Sequence, residues 1–96
     1  MTTINLLVKG KVQGVYYRKA AQEKARELNI TGWVKYISGG RVEIMATGSE
    51  DAIKEFVEWC KKGPEKADVE NVIVTPLSSA QFEDFTVILE SYPPDI

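Results

Sequence analysis

The sequence lacks the residue types on which most metal and redox sites depend. Among its 96 residues there is no histidine and a single cysteine, Cys60. One cysteine cannot form an intramolecular disulfide, and without histidine it supplies neither a zinc site nor a CxxC redox pair. Any metal site would have to rest on carboxylates alone.

The sequence also lacks a large excess of charge and lacks long hydrophobic runs. Twelve basic and fourteen acidic residues give a net charge of -2, which provides no general attraction for nucleic acid or for an anionic membrane. The longest apolar runs, such as Ile4 to Val8, are strand-sized, and the N-terminus has no signal-peptide pattern. We therefore expect a cytoplasmic protein without a nucleic-acid or membrane partner.

Length and patterning predict one domain over residues 1–96, because the chain is too short for two cores. Apolar residues recur at helical spacing from Tyr17, and again after Ser49, a natural N-cap followed by Glu50 and Asp51. Short β-rich runs lie between these segments, and Ser38-Gly39-Gly40 separates two of them as a turn. We predict helices over 17–29 and 49–63 and strands over 4–9, 33–37, 42–46, 69–75 and 85–89.

The predicted order is β-α-β-β-α-β-β, the split βαβ plan with an extra C-terminal strand. Right-handed crossovers place both helices on one face of a mostly antiparallel sheet. The predicted fold class is therefore α+β, a ferredoxin-like two-layer sandwich. Because this fold hosts RNA binding, metal transfer, ligand sensing and hydrolysis, function must be sought in the loops.

The segment Gly10-Lys11-Val12-Gln13-Gly14-Val15-Tyr16-Tyr17-Arg18 joins the first strand to the first helix. Gly14 allows the backbone to bend so that N–H groups point inward, and the helix start adds unpaired donors. The Arg18 fork suits two phosphate oxygens. On spacing alone two interpretations stay open: an anion cradle, or a plain turn at Gly14 beside a solvated Arg18. The segment is neither a Walker A loop nor a GxGxxG turn.

The same nine residues resemble the first signature of the acylphosphatase family at every constrained position. A second family signature resembles Gly32-Trp33-Val34-Lys35, followed by Gly40, Val42 and Gly48. The resemblance extends from about Ile4 to Leu89. It implies a ferredoxin-like sandwich that hydrolyses an acyl phosphate, a carboxylic-phosphoric mixed anhydride, to carboxylate and phosphate without metal, cofactor or covalent intermediate.

The resemblance also implies roles for individual residues. The backbone from Gln13 to Arg18 would bind the phosphoryl group, and Arg18 matches the essential arginine of the family. This assigns phosphate binding to Gln13, Gly14, Val15, Tyr16, Tyr17 and Arg18. Water would be the nucleophile, and inorganic phosphate or sulfate would bind the same site.

One position departs from the family pattern. The water-orienting asparagine of the family corresponds to Tyr36, whose single hydroxyl lies at the far end of a ring. The ring would carry the hydroxyl past the water site or occupy part of the pocket, so we expect slower turnover with phosphate binding largely intact. Lys35, Ser38 and Thr47 are nearby candidates to replace the asparagine. An ordinary packing role for Tyr36 is the alternative.

Two further functions are considered. A catalytically impaired family member that binds anions or regulates is the main alternative, because of Tyr36. An RNA-binding module is disfavoured, because the strand around 41–47 lacks paired aromatics and the chain is mildly acidic. We expect a monomer, Cys60 buried, Tyr17 packed inward, and Trp33 in the core or the pocket wall.

Overall fold

Five strands and two helices make up the computed structural model, which describes residues 1–89. The elements are β1 (Thr2–Lys11), α1 (Tyr17–Glu27), β2 (Thr31–Ile37), β3 (Arg41–Gly48), α2 (Glu50–Lys62), β4 (Asp68–Leu77) and β5 (Phe85–Ile88). The predicted order is confirmed. The predicted single domain extends to residue 96, and its last seven residues, 90–96, lie outside the described residues, so its extent stays a prediction.

The strands form one sheet in the order β4-β1-β3-β2-β5. All neighbours are antiparallel except β2 and β5, which run parallel. Helix α1 lies against β2 and β5, and α2 lies against β4, β1 and β3. This is the ferredoxin-like α+β sandwich expected from the sequence, with β5 as the additional strand beside β2.

The core lies between the sheet and the two helices. Alternate residues of β1 and β3, including Leu6, Val8, Val42 and Ile44, are fully buried on the helix-facing side. Phe56 of α2 contacts the ring of Phe85 of β5 edge-to-face, with ring centroids 5.9 Å apart. Trp33 lies on the opposite face of β2 from the buried Val34 and is only partly buried. The prediction of Trp33 in the core was therefore wrong.

The turn between β2 and β3 follows the sequence closely, whereas the strand ends do not. Gly39 and Gly40 have φ angles of 82° and 74°, which confirms the predicted hairpin turn. β4 continues past Thr75 through Pro76 to Leu77. Proline is tolerated there because β4 is an edge strand, so the missing N–H breaks no bond to an outer neighbour.

Within residues 1–89 no helix is long and apolar enough to cross a membrane. The same residues contain no group of three or more His, Cys, Asp or Glu side chains placed to hold a metal ion.

Candidate active site

The loop between β1 and α1 has a backbone conformation typical of anion sites. Gly14 and Tyr16 have positive φ angles of 75° and 67°. Such left-handed residues create concave nests of N–H groups. For Tyr16 this conformation costs roughly 1 kcal/mol or more, and strain of this kind clusters at functional sites. We call the backbone of residues 13–18 the anion cradle.

Helix α1 begins without the groups that usually satisfy its first N–H donors. Its N-cap residue, Tyr16, makes no side-chain capping bond, and the first turn contains no acidic residue. Within the described part of the chain, the N–H groups of residues 15–18 donate to no other protein group. Unpaired donors at the positive end of a helix dipole bind anions. Four cradle amides are therefore available to a ligand.

Gln13 braces the cradle from the side. Its Nε2 donates to the carbonyl oxygens of Ile37 and Arg41, at 3.0 Å in both cases. These carbonyls flank the β2–β3 turn, so the amide ties the cradle to the hairpin. Because the Gln13 side chain is engaged here, only its backbone is free to take part in phosphate binding.

The buried side chain of Tyr17 holds the cradle in place against α2. The side chain is fully buried, and its hydroxyl donates to the carbonyl oxygen of Cys60 on α2, at 2.8 Å. Burial raises the pKa of the Tyr17 phenol far above its ordinary value. Burial likewise raises the pKa of the Cys60 thiol to about 12. The predictions that Tyr17 packs inward and that Cys60 is a buried thiol are confirmed, and neither group is ionised at neutral pH.

Arg18 lies beside the cradle with its guanidinium held in two ways. Its Cζ atom is 3.7 Å from the centroid of the Tyr36 ring, a cation–π contact. Its Nη1 donates to the carbonyl oxygen of Ile88, at 3.3 Å. Within residues 1–89 the other guanidinium donors make no hydrogen bond to protein, so Arg18 can contribute a fixed positive charge to an anion in the cradle.

Tyr36 reaches the cradle itself. Its hydroxyl oxygen accepts a hydrogen bond from the backbone N–H of Gly14, at 2.9 Å, while its ring packs partly buried against the core. The ring also lies under the guanidinium of Arg18. Tyr36 thus does more than pack on a neighbouring strand.

The three candidates to replace the family's asparagine are engaged or located elsewhere. Lys35 lies on the opposite face of β2 and pairs with Glu43, at 3.8 Å. The Thr47 hydroxyl is bonded to the hydroxyl of Thr3, at 2.8 Å, at the other end of the sheet. For Ser38 the described hydrogen bond is made by its carbonyl oxygen rather than its hydroxyl. Lys35 and Thr47 do not lie at the cradle.

A cleft opens beside Arg18, between α1 and β5. It has a volume of about 450 Å³, and its lining includes Tyr16, Tyr36 and Val87. The side chain of Tyr16, which lines the cleft, is 61% exposed. The structure thus brings Gly14, Tyr16, Arg18 and Tyr36 together.

Sequence reasoning missed the two contacts that connect Tyr36 to the site, namely the hydroxyl bond to Gly14 and the stacking beneath Arg18. It also missed the bracing role of the Gln13 side chain. Tyr36 lies 22 residues from Gly14, and no local pattern reports such a pairing. The departure from the family signature at Tyr36 was the one available signal.

Comparison with known proteins identifies the family. The acylphosphatase family model matches residues 4–87. An acylphosphatase of Marinobacter nauticus is 53% identical over 87 residues, covering 86% of this chain and 95% of that protein.

Solved structures agree with this match. The structure of an acylphosphatase from Coxiella burnetii superposes with a TM-score of 0.88 at 44% identity, covering 91% of this chain and 92% of that one. The crystal structure of acylphosphatase from Bacillus subtilis gives a TM-score of 0.88 at 37% identity, covering 92% of this chain and 99% of that one. The chain therefore belongs to the acylphosphatase family of hydrolases.

Proposed function

We propose that the cradle and Arg18 together bind the phosphoryl group of an acyl phosphate for direct attack by water. The water oxygen bonds to phosphorus as the bond between phosphorus and the acyl oxygen breaks, which gives a carboxylate and inorganic phosphate. A carboxylate is a good leaving group, so positioning and charge stabilisation suffice. No metal or cofactor is required.

One observation carries this proposal: four cradle amides that have no partner within residues 1–89 belong to the same segment as a guanidinium that is fixed by stacking. Charge spreads over the phosphoryl oxygens in the transition state, and backbone donors with an arginine stabilise that charge without rearranging. A solvated arginine beside a plain turn would need neither the strained backbone of Tyr16 nor the stack on Tyr36.

The ring of Tyr36 bears on the rate of turnover, and its hydroxyl bears on phosphate binding. Its hydroxyl is engaged with the Gly14 N–H, and its ring fills space where an asparagine would leave room for water. We therefore expect turnover below that of a variant with asparagine at this position.

Steady-state hydrolysis of benzoyl phosphate tests the proposal. Arg18→Ala should lower kcat/KM by about 10³-fold, since removal of one transition-state donor costs about this much. Arg26→Ala is the matched control, because Arg26 lies on the same helix but pairs with Asp84, at 2.9 Å. Equal loss in both variants, or none in Arg18→Ala, would contradict the assignment of Arg18.

Tyr36→Asn tests the second part of the proposal. The substitution should raise kcat about 10²-fold, the scale of one positioning contact. An unchanged or lower kcat would show that another group orients the water or that Tyr36 itself is required.

A second candidate function is anion binding without turnover, either as a sensor or as a regulator of another protein. The engagement of Tyr36 with Gly14 favours it, since that contact takes up a cradle donor. Phosphate affinity together with no detectable hydrolysis by the unmodified chain would select this candidate. In either case we expect a cytoplasmic monomer with a small-molecule ligand.

A further inference from the structure

A second groove borders the cradle, distinct from the cleft described above. It has a volume of about 530 Å³ and lies between the cradle and the loop that joins α2 to β4. We call residues 63–67 of that loop the α2–β4 turn. The residues that line the groove are Gly14, Val15 and Tyr16 from the cradle and Pro64, Glu65 and Lys66 from the turn. The function proposed above gives the α2–β4 turn no role, although the turn adjoins three cradle residues.

The α2–β4 turn has a fixed position relative to the cradle. The Ala67 N–H donates to the carbonyl oxygen of Pro64, at 3.0 Å, which closes a tight turn with residues 65 and 66 at its centre. Gly63 packs so closely that a β-carbon at this position would lie 3.0 Å from the ring of Tyr17. Because Tyr17 also belongs to the cradle, the turn and the cradle are held by the same buried side chain.

Lys66 is the cation of the α2–β4 turn that lines the groove. Its side chain is exposed and makes no ion pair within residues 1–89. The neighbouring Glu65 lines this groove and also an adjoining one, which Lys62 lines with it. The charges of Glu65 and Lys62 offset each other, so these three side chains leave one positive charge, and Lys66 carries it beside the cradle.

We propose that Lys66 is a specificity-determining residue of the phosphate site and favours doubly charged phosphoryl groups over singly charged anions. The proposal rests on the proposed function, because the anion must occupy the cradle to lie within the field of Lys66. A phosphoryl group with a second pKa of about 6 is mostly a dianion at pH 7. Since electrostatic energy scales with charge, a nearby cation stabilises a dianion twice as much as a monoanion.

Methyl phosphate and methyl sulfate separate charge from shape. The two anions have nearly the same shape, but at pH 7 methyl phosphate is mostly doubly charged and methyl sulfate is singly charged. NMR titration of the full, isotope-labelled chain measures both dissociation constants through the backbone amides of residues 14–18. A unit charge about 10 Å away in water changes the affinity of a dianion about fourfold and that of a monoanion about twofold. Lys66→Gln should weaken binding of the two ligands by these factors at low ionic strength.

Three further variants distinguish the charge of Lys66 from other effects. Lys66→Arg keeps the charge and should keep both constants within about 1.5-fold of those of the unmodified chain. Lys62→Gln is the matched control, because Lys62 is also exposed but lines the adjoining groove, and it should have an equally small effect. Glu65→Gln removes a negative charge and should strengthen methyl phosphate binding more than methyl sulfate binding. In 1 M salt the Debye length falls to about 3 Å, so all these differences should disappear.

Two outcomes would overturn the proposal and leave the proposed function intact, because methyl phosphate would still bind the cradle. In the first, Lys66→Gln weakens both ligands equally and the loss persists in 1 M salt, so Lys66 only supports the turn. In the second, Lys62→Gln and Lys66→Gln have equal effects, so net charge and not position determines affinity. If neither ligand shifts the cradle amides and benzoyl phosphate is not hydrolysed, the proposed function fails and this proposal fails with it.

Discussion

The two helices of this protein begin in opposite ways. At the start of α2 the Ser49 hydroxyl accepts a hydrogen bond from the N–H of Ala52, at 3.2 Å, and Glu50 and Asp51 supply negative charge in the first turn. At the start of α1 no side chain caps the helix and no acidic residue is present. The N–H of the third residue of α2, Ala52, is thus bonded to the cap, whereas the N–H of the third residue of α1, Lys19, has no partner among residues 1–89.

This difference separates a structural helix start from a binding one. A capped start lowers the energy of the folded chain, since the cap and the dipole interaction each contribute roughly 0.5 to 1 kcal/mol. An uncapped start gives up that stabilisation and keeps its donors for a ligand. In α1 the buried Tyr17 and the Gln13 brace supply the support that a cap would otherwise give.

The largest effect on phosphate binding is expected when α1 is given an acidic first turn like that of α2. Lys19 is the third residue of α1, where a glutamate can reach back to the N-cap N–H. Lys19→Glu should weaken inorganic phosphate binding by about 10- to 100-fold, because a carboxylate competes for the donors and repels the anion. Calorimetry measures the affinity.

Lys54→Glu makes the same charge change on α2, at a residue that pairs with Glu50 on the helix surface. It should leave phosphate binding within about twofold of the unmodified chain, because a surface charge away from the site is screened. If Lys19→Glu and Lys54→Glu weakened binding equally, net charge and not the helix start would determine affinity.

The next prediction concerns the Tyr36 hydroxyl, which accepts a hydrogen bond from a cradle amide. Tyr36→Phe keeps the ring beneath Arg18 but removes the hydroxyl bonded to Gly14. Phosphate affinity should rise by about five- to tenfold, the equivalent of one hydrogen bond of roughly 1 kcal/mol, whereas kcat should change little because no water-orienting amide is added. Weaker phosphate binding would mean that the hydroxyl donates its own proton to the anion.

A smaller effect is expected at the start of α2. Ser49→Ala removes the cap and should lower the free energy of unfolding by about 1 kcal/mol, as N-cap losses do. Urea denaturation measures this change, with phosphate affinity measured in parallel. Any loss of affinity would link the two helix starts and weaken the distinction between them.

The smallest effect concerns the other end of α1. Arg26 in its last turn pairs with the exposed Asp84, and the hydrogen bond from Arg26 holds the pKa of that carboxyl below its ordinary value. A lowered pKa in the folded state gives stability that is present above the unfolded value of about 4 and is lost as pH falls through the folded value. Asp84→Asn should therefore reduce the urea midpoint slightly at pH 7, and the reduction should shrink as the pH falls below about 4.

Most of the architecture was predictable because it depends on local patterns. Alternating apolar residues placed the strands, and Ser49 with its acidic followers placed the start of α2. Strand ends were less predictable, because pairing with β1 extends β4 through Pro76. The sequence of one strand does not show which residues of another strand will pair with it. A place in the core was one of the two predicted for Trp33 and was wrong, because an aromatic residue suits either face of a sheet.

The composition of the site was predictable from its signature, but its internal contacts were not. Gly14 and Arg18 were identified as candidate residues because nine residues resemble a family pattern. The bond between Tyr36 and Gly14 arises from the reach of a side chain across two elements, which depends on tertiary geometry. The same holds for the Gln13 brace, whose acceptors are carbonyls that any residue would present.

The cradle is built from main-chain amides, and this has a consequence for how the protein can evolve. Every residue type except proline carries an N–H group, so a substitution of Tyr16 can reshape the mouth of the cleft while the donors remain. Substrate preference and phosphate capture are thereby separated genetically. Point mutations can therefore change which acyl groups bind while the main-chain donors that bind phosphate are retained.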